Sequence, residues 1–235
     1  MSRPSPHALV FEPWFESALL AAALGRGARV LQLEARSAAQ SAAILARIGE
    51  SGALTVVEPV AERAAAVDAL THPQLGVLAC RARGSESLGM HDVVICCPPA
   101  LDPARVAELV ALGVRNLRPG GRLVFDLPAL GQCDVLREAW QQAGGDAAAF
   151  AAFAGVDPSF VADELVARGV RRSEATATTY VVRFTSPLEA ALRCVELCDA
   201  SAELTENLRL VLTQRFGTIG ELELPFHRVR ATAMR

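Results

Sequence analysis

The stretch ARVLQLEARSAAQSAAILARIGESGALTVVEP, residues 28–59, carries a short apolar run, a segment of helical period and a second apolar run in that order. ARVLQL (28–33) and ALTVVE (53–58) are short and rich in β-formers, while residues 37–48 place apolar side chains at helical spacing before Gly49 and Gly52 stop them. Strand, helix, strand is the unit that builds parallel sheets. The alternation continues downstream, with a helix at 60–70 and strands at LGVLAC (75–80) and HDVVICC (91–97). A helix follows over 102–116, with Asp102 as N-cap and Pro103 at the first helical position. RPGG (118–121) reads as a turn into the strand RLVFDL (122–127). Five apolar strands separated by helices predict a mostly parallel sheet covered on both faces.

Upstream, Pro13 opens a helical pattern to Leu24, with Trp14, Phe15, Ala18, Leu19 and Ala22 on one stripe. Downstream of Gln132 the spacing predicts helices at 132–143 and 157–168, then a long alternating stretch from Val170 to Phe184. A helical hairpin, 186–198 and 202–216, precedes a last strand over 221–233. No repeat or linker divides the chain. The expectation is one domain over 1–235, with a lead at 1–27, halves at 28–130 and 131–235, and a helical lid at 186–216.

At 51% hydrophobic, 235 residues can bury one sizeable core. Arg supplies all 23 basic residues against 26 acids, so the net charge of −3 offers no basic excess for nucleic acid. With no lysine in the chain, an isolated arginine carries little functional weight by itself. Cys80, Cys96, Cys97, Cys133, Cys194 and Cys198 form no C-x-x-C pair and read as reduced, largely buried thiols. The N-terminus shows no signal-peptide pattern and no 18-residue apolar run occurs, so the expected location is cytoplasmic, away from membranes.

ARVLQL, TVVEP, HDVVICC, NLRPGGRLVFDLP, ELVARGV and FHRVRATAMR, in this order with the helical pair before the last strand, resemble the class I S-adenosylmethionine-dependent methyltransferases. The closer likeness is to the small-molecule branch that includes trans-aconitate and malonyl-carrier methyltransferases. The resemblance implies a Rossmann-like α/β fold with a seven-stranded, mostly parallel sheet, helices on both faces and a helical insertion before the last strand. It also implies S-adenosylmethionine as cofactor.

In that family the first strand enters a loop D/E-x-G-x-G-x-G, where absent side chains let the backbone approach the cofactor. Here it reads Gln32-Leu33-Glu34-Ala35-Arg36-Ser37-Ala38, with side chains at all three glycine positions and an amide for the leading acid. Glu58, ending the second strand, matches the acid that accepts from the ribose hydroxyls; its plainer reading is a solvated strand-end acid kept for packing or helix-capping reasons. The element bracketing the adenine should fall in RGSESLGM (83–90), near Ser85 and Glu86, which reproduce the pattern poorly. Cys97-Pro98-Pro99-Ala100 stands at the rim without the amide and aromatic of amine-methylating relatives. Cys96 and Cys97 have no neighbouring group to activate a thiol, and His7, His72, His91 and His227 form no metal motif. His227 could serve as a base, although a strand histidine supporting the rim is commoner. No catalytic or metal residue is assigned.

Two functions follow. One is a pseudo-methyltransferase serving as a binding or partner module, a homo- or hetero-oligomer with a methyltransferase homologue through the Trp14–Phe15 stripe or the hairpin, unless these are simply core or a substrate lid. Arg36 and Glu58 would then pair across the vacated pocket. The other is an active enzyme methylating a small carboxylate or hydroxyl acceptor beneath the hairpin, which needs alignment more than a triad. A thinner reading has Arg36 and the helix start at Ser37 holding an anion.

Overall fold

The computed structural model describes residues 6–98, 101, 103–148, 154–170, 172–198, 202–217 and 221–235, and within these all side chains except those of 6–13, 103, 193–198 and 202. The expected cap Asp102, the rim residues Pro99 and Ala100, and the side chains of His7, Cys194 and Cys198 therefore lie outside the described residues.

Strands β1 (Arg29–Leu33), β2 (Ala53–Val57), β3 (Leu75–Leu78), β4 (His91–Cys96), β5 (Leu117–Pro128), β6 (Arg172–Phe184) and β7 (Leu222–Met234) form one sheet ordered β3-β2-β1-β4-β5-β7-β6. The first five run parallel, and β7 lies antiparallel between β5 and β6. This is the α/β architecture the alternation predicts. Against one face, Leu33, Phe125 and Val229 pack with Val106, Leu109 and Val110 of α4 (Pro103–Arg115) and with Val161 and Leu165 of α6 (Pro158–Ala167). Against the other, Val30, Val56 and Ile95 pack with Phe15 and Leu19 of α1 (Pro6–Ala22) and with Ile44 and Ile48 of α2 (Ala38–Ile48). The insertion, α7 (Pro187–Cys198) and α8 (Ala202–Phe216), covers a third cluster with α5 (Asp134–Gln142), where Trp14, Trp140, Phe184, Leu212 and Phe226 meet. A short α3 (Ala61–Asp68) follows β2.

Three local expectations change. Pro13 sits inside α1, which begins at Pro6, a proline suited to an N-terminal turn where its missing N–H has no partner to lose. RPGG is absorbed into β5: the register against β4 jumps from His91–Leu117 to Val93–Arg122, so residues 118–121 bulge out of one continuous strand. Cys80 is exposed because β3, the strand before it, is the sheet's edge.

After β3 the chain descends along α4, and Gly84 lies against it without a side chain. A Cβ there would stand 2.7 Å from the Ala111 Cβ and 3.3 Å from the Glu108 carbonyl oxygen. Gly84→Val is expected to destabilise the fold by about 1–3 kcal/mol through overpacking. Urea denaturation checks this, and an unchanged midpoint would contradict the packing described.

Candidate functional site

At the C-terminal ends of the parallel strands, β1 passes into α2 through Glu34, Ala35, Arg36 and Ser37. Glu34 and Arg36 hold left-handed backbone, φ 55° and 57°, the conformation that glycine adopts without steric cost. The loop thus keeps a glycine-type path at both positions while carrying long side chains. Ser37 caps α2 by accepting from the Gln40 N–H at 3.3 Å, and Gln32 is fixed to the same helix by the Ser41 hydroxyl, which donates to it at 2.8 Å. Ala35 is fully buried against α2 and Ile95.

Glu34 is 5% exposed, and its Oε1 accepts from Arg105 Nε at 3.4 Å and Nη2 at 3.3 Å. Its Oε2 lies 3.7 Å from Arg36 Nη2. Arg105, in the first turn of α4 and equally buried, also donates to the Ala82 carbonyl at 2.7 Å and to Glu108. One guanidinium therefore links the loop after β1, the loop after β3 and α4. Burial, followed by the nearby Arg63 charge, holds the Arg36 pKa below its ordinary value.

Glu58 ends β2 with no exposed surface. Its Oε1 accepts from the Val60 N–H at 3.0 Å and Arg63 Nε at 2.9 Å, and its Oε2 from the Arg36 backbone N–H at 3.2 Å. The expected Arg36–Glu58 side-chain pair is replaced by two others. Arg63, in α3, reaches Glu58, while Arg36 turns to Glu34, two residues away. The plainer reading of Glu58 fails in its solvation, because the carboxylate is buried and met by three donors, while the bond it accepts from Val60, the N-cap residue of α3, agrees with the helix-capping part.

Ser85 and Glu86 lie apart from this cluster. The Glu86 carbonyl accepts from Asn116 Nδ2 at 3.1 Å, at the far end of α4, while Ala82 is the residue of that loop beside Arg105. Ser37 and Arg36, considered for an anion, are engaged by Gln40 and Glu34.

Cys96 and Cys97 face different surroundings at the end of β4. Burial pushes both thiols up, helped by the Glu34 charge at Cys96 and the Asp126 charge at Cys97. Neither is a nucleophile at neutral pH. Native alkylation at about pH 8 is expected to label Cys80 and spare Cys96 and Cys97. Peptide mass spectrometry checks it, and rapid labelling at either β4 cysteine would contradict the account.

A second polar cluster, which the sequence did not reveal, sits beside Cys97. Asp126, on β5, is fully buried, with Oδ1 2.7 Å from Arg228 Nε and Oδ2 2.8 Å from Arg230 Nε, both arginines on β7. Arg228, also fully buried, donates to Gln132 Oε1 at 2.7 Å and the Pro98 carbonyl at 2.8 Å, and its guanidinium lies over Trp14, 5.4 Å from the ring centroid. Arg230 donates to the Trp14 carbonyl, the Ser17 hydroxyl and the Tyr180 hydroxyl. The cluster fastens α1 onto the sheet. Of the two readings of Trp14 and Phe15, a docking stripe or plain core, the structure gives core. The hairpin does expose Leu188, Leu192 and Leu210. His227 lies outside the cluster, its Nδ1 3.0 Å from the Thr179 hydroxyl.

Among the described residues, no group of three His, Cys, Asp or Glu is placed to hold a metal, and no helix is long and apolar enough to cross a membrane. No protein-family model matches the chain, and no curated protein does. Solved structures do. The YcgJ protein of Bacillus subtilis superposes with TM-score 0.67 at 11% identity, over 95% of this chain and 98% of its own. A Geobacter sulfurreducens S-adenosylmethionine-dependent methyltransferase, solved with S-adenosyl-L-homocysteine, gives 0.52 at 15% identity, over 100% and 99%. A Haloferax volcanii chain solved in complex with the Trm112 methyltransferase activator gives 0.53 at 12%, also over 100% and 99%. Such identities establish the fold alone: it is the Rossmann-like fold of the S-adenosylmethionine-dependent methyltransferases.

Proposed function

We propose that this chain is a pseudo-methyltransferase, a methyltransferase-fold protein whose cofactor cleft is filled by its own side chains and which serves as a binding or partner module. The observation that carries this is the Glu34 carboxylate, buried between Arg105 and Arg36 where the resemblance implies bare glycine backbone. Two further observations agree. Glu58, in the ribose-binding position, is already met by three protein donors, and Arg105 holds the carbonyl of the loop that would border the adenine. The residues present do not fit S-adenosylmethionine. A partner role has a parallel in the Haloferax neighbour, solved with a methyltransferase activator.

The second reading is an active methyltransferase for a small carboxylate or hydroxyl acceptor. It is favoured by one fact, the left-handed backbone at Glu34 and Arg36, which keeps the path of a glycine loop. Thermal unfolding with excess S-adenosyl-L-homocysteine separates the two, because a ligand specific to the folded state raises its stability as RT ln(1 + [L]/Kd). The unaltered protein is expected to show no shift, and the Glu34→Gly/Arg36→Gly variant a measurable one. A shift in the unaltered protein favours the enzyme. No shift in either places the defect beyond the loop.

A further inference from the structure

The outer edge of β6 is 13 residues long and no described strand pairs with it. Its direction of hydrogen bonding follows from β7. The His227 carbonyl accepts from the Ala129 N–H at 3.0 Å and the His227 N–H donates to the Gln132 carbonyl; Arg235 exchanges bonds likewise with Gly120 and Gly121. Odd-numbered residues of β7 therefore point toward β5 and even-numbered ones toward β6. Through the register Thr176–Arg230, Thr178–Arg228 and Tyr180–Phe226, the even residues of β6 answer them. Ser173, Ala175, Ala177, Thr179, Val181 and Arg183 direct their N–H and C=O groups away from the sheet.

Edge strands are usually defended by proline, charge, a bulge or brevity. This one has none of those along its centre. Its register with β7 is unbroken from Arg172 to Phe184, and residues 175–182, ATATTYVV, hold no charge, proline or glycine. Thr179 is exposed and Val181 is 56% exposed, so the face beside the edge is open as well.

We infer that two copies of this chain associate through antiparallel pairing of their β6 edges about a twofold axis at Thr178, extending the sheet across the dimer. This register pairs all six outward residues: Ala177 with the partner's Thr179, Ala175 with the partner's Val181, and Ser173 with the partner's Arg183. On the other face Thr178 meets the partner's Thr178, Glu174 the partner's Val182, and Arg172 the partner's Phe184. No like charges stand opposite each other. Moving the axis off Thr178 leaves outward groups at the strand ends without partners. A second copy thus meets this edge with all six outward residues paired and no like charges opposed, and is the occupant. The inference stands apart from the reading of the cleft and holds whether or not the cofactor binds.

Sedimentation velocity at tens of micromolar tests it. The expected species has twice the chain's 24.9 kDa. Ala177→Pro removes an outward N–H without touching the β7 ladder and should convert the dimer to monomer with unchanged far-ultraviolet circular dichroism. Val181→Lys, which leaves the backbone alone, should shift the equilibrium the same way and decides the matter if the proline variant misfolds. A monomeric unaltered protein would overturn the inference. So would a dimer that persists in a folded variant.

Discussion

Replacing Asp126 with alanine is expected to cost the fold about 3–5 kcal/mol, because removing the fully buried carboxylate of an ion cluster strands its partners. Asp126 takes Arg228 on one oxygen and Arg230 on the other, so its loss leaves two guanidiniums without a carboxylate at the centre of the β5–β7 pairing. Arg230 also holds the Trp14 carbonyl, so α1 should loosen with it. Against a usual total of roughly 5–15 kcal/mol, the variant should be close to unfolding at 37 °C. Asp126→Asn, which keeps an acceptor of the same shape, should cost less. Urea midpoints for both variants check this, and equal, small losses would contradict a charge-centred role.

Arg105→Ala is the second large effect, about 3 kcal/mol, since Glu34 would keep only the more distant Arg36 in a buried position. The informative comparison is the double variant. Glu34→Gly in the Arg105→Ala background removes the stranded carboxylate and also relieves a left-handed non-glycine residue, a strain of about 1 kcal/mol. The double variant is therefore expected to be more stable than Arg105→Ala alone. A double-mutant cycle reads the coupling directly, and additive losses would show that the two side chains do not act as a pair.

The architecture was legible because it rests on local pattern. Apolar strands and helical segments alternate along 28–127, and the insertion before β7 stands out by its period. The side chains in the loop after β1 were legible too, since Glu34 and Arg36 stand where the resemblance implies glycine. Their partners were not. Arg105 reaches Glu34 across 71 residues and Arg228 reaches Asp126 across 102, separations that no local pattern specifies. A chain whose basic residues are all arginine also gives no compositional reason to single either out.

A weaker signal was present in the spacing. Arg105 shares the α4 stripe of Leu109 and Leu112, and Arg228 continues the β7 face of Leu222, Leu224 and Phe226. A charge on an apolar stripe asks for a buried counter-charge. The misplacement of Ser85 and Glu86 has a different cause. The loop after β3 runs down α4, so only its first residues stay near the strand ends, and Ala82 offers a backbone carbonyl that side-chain patterns do not register.

The central question is whether the cleft beside Glu58 accepts S-adenosylmethionine. Isothermal titration of the unaltered protein with S-adenosylmethionine tests this most directly. A cleft filled as proposed predicts no saturable heat up to roughly millimolar ligand, the range where affinity is only about 4 kcal/mol. Saturable binding at micromolar concentration would contradict it.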